Sequence, residues 1–408
     1  MMSMNRREFI RNTALFSALG FAPAFLTRTV AAATVDAAPA FRDDRILVVV
    51  QLGGGNDGLN TVVPWNDDAY YRARPKLGLG KNRLLRINDD VALNDALAPM
   101  KALYDDGLLG IVQGVGYPNP DRSHFRSMEI WHTASDSDEF LGHGWLGRYF
   151  DNYCAGCPPE VGMAIDAERP QAFTGVTGAG ISTTDPARFG WQPGPGPATE
   201  ARFHAMNPGA AEEETTLDFL RHTNVGAILS TESVRRAAEK GKVGRQLRPG
   251  RGTDQLDAVA GLIRGGLGTR IYYVSTGGFD THANQTNQHE RLLGQVAEAL
   301  QRFQQTLEAD GTADRVVTLA FSEFGRRVQE NGTGGTDHGT AAPLFMMGRG
   351  IQPGLHGAMP SLTALDHGDL VHAVDFRQVY ATLLRNWFAV DADPVLGKPF
   401  ETLPLLRA

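Results

Sequence analysis

Residues with the means to do chemistry gather at four places: Gly55-Asn56-Asp57-Gly58, Gly277-Gly278-Phe279-Asp280-Thr281-His282, Ser322-Glu323-Phe324-Gly325-Arg326 and Gly334-Gly335-Thr336-Asp337-His338-Gly339. Singly, each reads as turn chemistry, because Gly, Asn and Asp are the residues that tight turns favour. Together they offer the carboxylates of Asp57, Asp280, Glu323 and Asp337 and the imidazoles of His282 and His338. Carboxylates drawn to one place repel unless a cation lies between them. Oxygen ligands mixed with imidazole suit a divalent metal ion: zinc or manganese, or calcium or magnesium. These six residues are therefore the expected metal ligands, with a purely structural hydrogen-bonded network as the competing reading.

The elements that must position them follow from apolar patterning. Ile46-Leu47-Val48-Val49-Val50 is an unbroken, mostly β-branched run that enters a glycine turn, as a buried central strand does. Four further runs read as strands: Gly110 to Gln113, Arg270 to Ser275, Arg315 to Phe321 and Leu344 to Met347. Helical spacing covers Leu93 to Asp105, Ser123 to Thr133, Leu256 to Gly265, Gln285 to Asp310 and Phe376 to Phe388. Apolar strands alternating with amphipathic helices predict an α/β fold with a mostly parallel central sheet sandwiched by helices. Every polar cluster then adjoins a strand, and in such sheets ligands collect beyond the carboxyl ends.

The chain opens with Asn5-Arg6-Arg7-Glu8-Phe9-Ile10-Arg11 and an apolar stretch to Leu26 broken by Ser17, Gly20 and Pro23. That order predicts a twin-arginine signal over about 1–38, hence the twin-arginine translocase as a partner and a periplasmic or secreted destination. The stretch is too short for a stable membrane span. The formal charge is −7, and losing the four arginines and one glutamate of residues 1–33 leaves about −10. So acidic a body is a poor partner for nucleic acid. Residues 39–408 read as a single domain, with a Gly- and Pro-rich cap or insertion at about 165–250 and a disordered linker as its alternative. Cys154 and Cys157 are the sole cysteines, read as a short-loop disulfide or two free thiols rather than a redox or zinc site. Asp375 reads as a helix cap and His289 as a solvent-facing or capping residue.

Gln51-Leu-Gly-Gly-Gly-Asn-Asp-Gly-Leu-Asn-Thr, Gly-Gly-Phe-Asp280-Thr-His282, Ser-Glu323-Phe-Gly-Arg and Gly-Thr-Asp337-His338-Gly together resemble an exported bacterial family, domain of unknown function 1501. The resemblance spans nearly all of the mature chain and implies a relation to the alkaline phosphatase and sulfatase superfamily, so an alkaline phosphatase-like sheet between helices. It further implies that Asp57 is the aspartate ligand after the first strand, that Asp280 and His282 are a later ligand pair at shorter spacing, and that His338 is the final histidine. Glu323 then stands where relatives present an Asp-His pair, and Phe324 replaces that histidine. Such enzymes place a nucleophile at a helix start, which points to Ser123 with Arg122 and His124 beside it as catalytic residues. A plain helix cap by Ser123 or Asp121 is the equal alternative.

The resulting expectation is a metal-dependent hydrolase of a small anionic ester, a phosphate or sulfate. A non-catalytic metal- or partner-binding protein on the same fold is the second reading. A redox protein is the third: Gly53 to Gly58 fits the bare spacing of a dinucleotide turn, but Asp57 would face the pyrophosphate, and two cysteines cannot hold an iron–sulfur cluster.

Overall fold

The computed structural model describes residues 44–407 except 155, 177, 191–228, 245–246 and 248–251. The expected signal segment and most of the expected cap lie outside these residues. The main strands are β1 (Ile46–Leu52), β2 (Leu109–Gly116), β3 (Gly162–Ala164), β4 (Ile181–Ser182), β5 (Ile271–Thr276), β6 (Val316–Phe321), β7 (Arg326–Glu330), β8 (Thr336–His338), β9 (Ala342–Met347), β10 (Gly354–His356) and β11 (Val374–Asp375). The main helices are α1 (Ala98–Asp105), α2 (His124–Thr133), α3 (Trp145–Tyr153), α4 (Gly252–Arg264), α5 (Gln285–Ala309) and α6 (Phe376–Thr382).

The central sheet runs β10-β2-β9-β6-β1-β5-β3-β4, with β11 also on β2. Both neighbours of β1 are parallel to it. β9 is antiparallel to β2 and to β6, so the sheet is mixed rather than uniformly parallel. That reversal matters for the chemistry, because the chain enters β9 at the edge where β1, β5 and β6 end. Residues just before β9 therefore meet residues just after the others.

Alternation along β1 divides the core into two layers, since successive side chains point to opposite faces. Val48 and Val50 join a layer containing Leu103, Leu262 and Leu300 from α1, α4 and α5. Leu47 and Val49 join the other, containing Trp131, Tyr149 and Tyr380 from α2, α3 and α6. Residues 229–240 are helical, and Val234, Ala237 and Ala238 are part of the first layer.

Two expected helices are shorter. Residues 92–94 form a strand paired with 84–86 and 62–63, and the Asn94 side chain accepts from Ala96 N, so α1 begins only at Ala98. α6 passes at Leu383 into one π-helical stretch to Trp387. Asp375 caps α6 through a reciprocal bond pattern with Gln378. Cys154 and Cys157 form a disulfide. Among the described residues no helix is long and apolar enough to cross a membrane.

Candidate metal centre

The turn after β1 is made by Gly54 and Gly55 at φ +114° and +69°. A Cβ on Gly54 would lie 2.5 Å from Asp280 N, and one on Gly55 would lie 2.4 Å from the Phe324 ring. Only glycine lets these loops close so tightly. The Arg326 guanidinium, wholly buried, fastens them: it donates to Gly54 O, Gly55 O (2.6 Å), Phe279 O (3.1 Å), Thr336 O (3.0 Å) and Asp280 Oδ1 (2.7 Å). A buried guanidinium is tolerable when its donors are spent in this way.

Asp280 Oδ1 lies at the meeting point of three imidazoles. It is 3.0 Å from His338 Nε2, 3.0 Å from His282 Nε2 and 3.5 Å from His124 Nε2. The two histidine nitrogens His282 Nε2 and His338 Nε2 are themselves 3.0 Å apart. Burial alone would raise the Asp280 carboxyl, but Arg326 and His338 outweigh it and hold it well below the usual carboxylate range.

The other ring nitrogens fix the protons. His338 Nδ1 faces Arg122 O at 2.8 Å, His124 Nδ1 faces Glu323 Oε1 at 2.8 Å and His282 Nδ1 faces Asp337 Oδ1 at 3.4 Å. A carbonyl and two carboxylates only accept, so each Nδ1 is assigned the hydrogen, and a ring in its neutral form turns its Nε2 lone pair toward Asp280. Three lone pairs and a carboxylate oxygen repel one another unless a cation lies among them. Protonating the rings would instead place imidazolium charges at centroid separations of 4.4 and 4.7 Å, at roughly 4 kcal/mol per pair in a partly screened site. A divalent ion among them would relieve that repulsion; tetrahedral ligands at zinc lie about 3.4 Å apart. The donor set fits such an ion. His124, Asp280 and His338 alone bring their ligand atoms within 4.8 Å of one another, and His124 Nε2 is buried without a hydrogen-bond partner.

Of the six expected ligands, Asp280, His282 and His338 come together. His124, expected to act beside a nucleophile, lies instead in the group with Asp280 and His338 that could hold an ion. Glu323 is buried and lies outside the group of His124, Asp280 and His338: its Oε1 accepts from Gly54 N (2.9 Å) and His124, and its carbonyl accepts from Trp131 Nε1 and Ser127 Oγ. It raises the proton affinity of His124, the same rise in basicity that strengthens a metal ligand. Asp337 is exposed, with Oδ1 3.4 Å from His282 Nδ1.

Asp57 does not join the cluster. It is fully buried, and both its oxygens accept from Arg74 Nη1 (2.8 and 2.6 Å), with Gln285 Nε2 donating to Oδ2. Burial would raise its carboxyl, but the Arg74 guanidinium holds it below its ordinary value. His289, far from being solvent-facing, is buried against Asn56 Oδ1 at 2.9 Å, and burial pushes it down to about 4.

Ser123 is exposed at the start of α2 and its hydroxyl caps no helix N–H, while Asp121 Oδ1 accepts from Ser123 N. Arg122 pairs with Asp369 at 3.1 Å. A cleft of about 420 Å³ opens against His124, Asp280 and Glu323, walled by Gln51, Phe125 and His132. His132 belongs to no sequence motif, and only the fold brings it here. Its Nε2 lies 3.0 Å from Tyr273 OH and 3.3 Å from Gln51 Oε1, and burial lowers it to about 4, so it stays neutral.

Residues 258–398 match the family described as protein of unknown function (DUF1501). The DUF1501 segment carries Asp280, His282, Glu323, Arg326, Asp337 and His338, while His124 and the β1 turn come from outside it. No curated protein matches the chain in sequence. Similar solved structures include the C-terminal periplasmic domain of EcEptC from Escherichia coli in complex with Zn, at 9% identity over 76% of this chain and 74% of that one, TM-score 0.38. The PsFucS1 sulfatase from Pseudoalteromonas sp. aligns at 11% identity over 94% and 75%, TM-score 0.40. A protein in the alkaline phosphatase superfamily from Vibrio parahaemolyticus aligns at 11% identity over 92% and 77%, TM-score 0.37.

Proposed function

We propose that this chain is an exported, metal-dependent hydrolase of a phosphate or sulfate ester. The observation that carries the reading is the convergence of three imidazole Nε2 atoms on Asp280 Oδ1, each ring held from behind by an oxygen acceptor. His124, Asp280, His282 and His338 would hold the ion, with zinc favoured by three nitrogen donors. A divalent ion so bound supplies Lewis-acid polarisation of the ester oxygen.

The protein's own groups supply the rest. Arg326 and Glu323 keep the donors aligned without reorganising. Arg122, half-exposed beside the cluster, attracts an anionic ester. Ser123, whose hydroxyl is spent on no cap, or a water in the adjoining cleft, supplies the attacking oxygen. Net hydrolysis adds water across the P–O or S–O bond, giving the free anion and an alcohol. The test is chelation followed by restoration with zinc or manganese, assayed on 4-nitrophenyl phosphate and 4-nitrophenyl sulfate. Metal-restored turnover is expected; no turnover with any divalent ion contradicts the catalytic reading. Replacing Arg6 and Arg7 by lysine should retain a reporter fused to residues 1–38 inside the cell, and secretion unaffected by that change would contradict twin-arginine export.

A non-catalytic metal-binding protein is the second reading, favoured by one feature. Arg74 satisfies Asp57, and the Phe324 ring lies 4.9 Å from both His124 and His338, so the resemblance's residues do not assemble a second ion position. Stoichiometric metal without hydrolysis, unaltered by Ser123→Ala, would support it.

A further inference from the structure

The cleft of about 420 Å³ beside the metal centre has a direction. Phe125, Met128, Glu129 and His132 line it, and steps of three, four and seven residues put them on one face of α2. α2 is therefore its long wall, with His124 of the metal centre at one end and His132 at the other. Eight residues at 1.5 Å each place His132 about 12 Å along the helix axis from His124. That is too far to touch the reacting atoms, and it suits a group attached to them. No lysine or arginine lines the cleft, and Glu129 is paired with Arg126 at 2.8 Å. With the carboxylates of Asp280 and Glu323 at its inner end, the cleft offers nothing to a second anion.

The outer end presents an acceptor. Tyr273 OH donates to Gln51 Oε1 at 2.5 Å, so the lone pairs of both oxygens face His132 Nε2, which must carry the hydrogen of the neutral ring. The Nε2 edge is thus turned to the buried Tyr273. Nδ1, left as a bare lone pair on a half-buried ring that lines the cleft, has no hydrogen-bond partner among the described residues and is not shut off from solvent. We infer that the cleft holds the leaving alcohol of the ester and that His132 Nδ1 is its specificity contact, accepting from a hydroxyl or amide N–H at the end of the alcohol remote from the ester. An ether oxygen in that place leaves Nδ1 unmet. This rests on the hydrolase reading for its place in a reaction, though not for the binding itself. An alcohol held here displaces water from the cleft, which leaves Ser123 as the attacking group.

The test compares one hydroxyl with its methyl ether. Binding of 2-(4-hydroxyphenyl)ethanol and 2-(4-methoxyphenyl)ethanol to the zinc-loaded protein is measured by saturation-transfer NMR, alongside turnover of their phosphate and sulfate esters. The hydroxyphenyl compound should bind about tenfold tighter, the scale of one hydrogen bond. Among the esters the preference should appear in KM rather than kcat, because a contact remote from the reacting atoms is made equally in the ground and transition states. His132→Gln keeps a donor for Tyr273 in the place of Nε2 but has no acceptor in the place of Nδ1, so the preference should vanish with zinc content unchanged. Phe125→Ala, which removes an exposed wall, should weaken both alcohols alike and leave the preference in place. Equal binding of the two alcohols to the parent, or a preference that survives His132→Gln, overturns the inference. A preference lost in His132→Gln without turnover of any ester would overturn the hydrolase reading and leave the subsite standing.

Discussion

Two carboxylates sit in glycine-rich turns at the same edge of the sheet, with histidine and arginine near both, and they have opposite fates. Around Asp57 everything is internal: Arg74 provides the cation, Gln285 a donor, and the Arg74 guanidinium is itself spent on Val328 O and Arg327 O. Around Asp280 one internal cation, Arg326, is outnumbered by three Nε2 lone pairs, and the carboxylate is 46% exposed. The first arrangement is complete and sealed. The second leaves its charge balance open to the cation we propose, and it opens onto a cleft. An acidic turn becomes a binding site when the fold leaves its charge balance unfinished within reach of solvent.

The sharpest way to break this comparison is to exchange the costs. Asp57→Ala strands Arg74 in the core and should destabilise folding by about 3–5 kcal/mol, read as a lowered denaturation midpoint, with metal stoichiometry intact in the folded fraction. His338→Ala should do the reverse: metal affinity falls at least about a hundredfold, near 3 kcal/mol, while the metal-free midpoint hardly moves. Equal effects of the two substitutions on metal affinity would erase the distinction.

A pH titration of stability sharpens it further. His289 belongs to the sealed region, and its folded value of about 4 lies below the 6.5 of an unperturbed imidazole. The unfolded chain therefore takes up the proton first. Stability from this group is full above pH 6.5 and declines by about 1.4 kcal/mol per unit as pH falls toward 4. The decline should flatten in His289→Gln by that amount; identical profiles for the two proteins would contradict a buried neutral ring. The smallest effect is expected from Asp337→Asn, which loosens the orientation of His282 and should cost about tenfold in metal affinity, measured by competition with a chelator.

Sequence patterning reaches the strands, since an unbroken apolar run as short as Ile46 to Val50, closed by glycines, fits a strand buried on both faces and little else. It reaches Asp280, His282 and His338 because they flank such runs. It does not reach the direction of β9: Leu344 to Met347 has the same pattern in a parallel or an antiparallel strand. Nor does it reach the partnership of Asp57 with Arg74, which in sequence is one arginine in Ala-Arg-Pro with no periodic signal. His124 stands out in sequence only as the neighbour of Ser123, although its position on the first turn of α2 aims the ring at the end of β6. Arg326 is visible only as the end of a motif. Its role depends on three loops meeting, a tertiary fact that no local pattern encodes.

The proposed centre takes one cation among His124, Asp280 and His338, with His282 beside them. Titrating zinc into chelator-stripped protein, with the ion counted by elemental analysis, tests it directly. One ion per chain is predicted for the parent and for Ser123→Ala, and none for the double variant Asp280→Asn, His338→Ala. Failure of the parent to bind, or binding undiminished in the double variant, would contradict it.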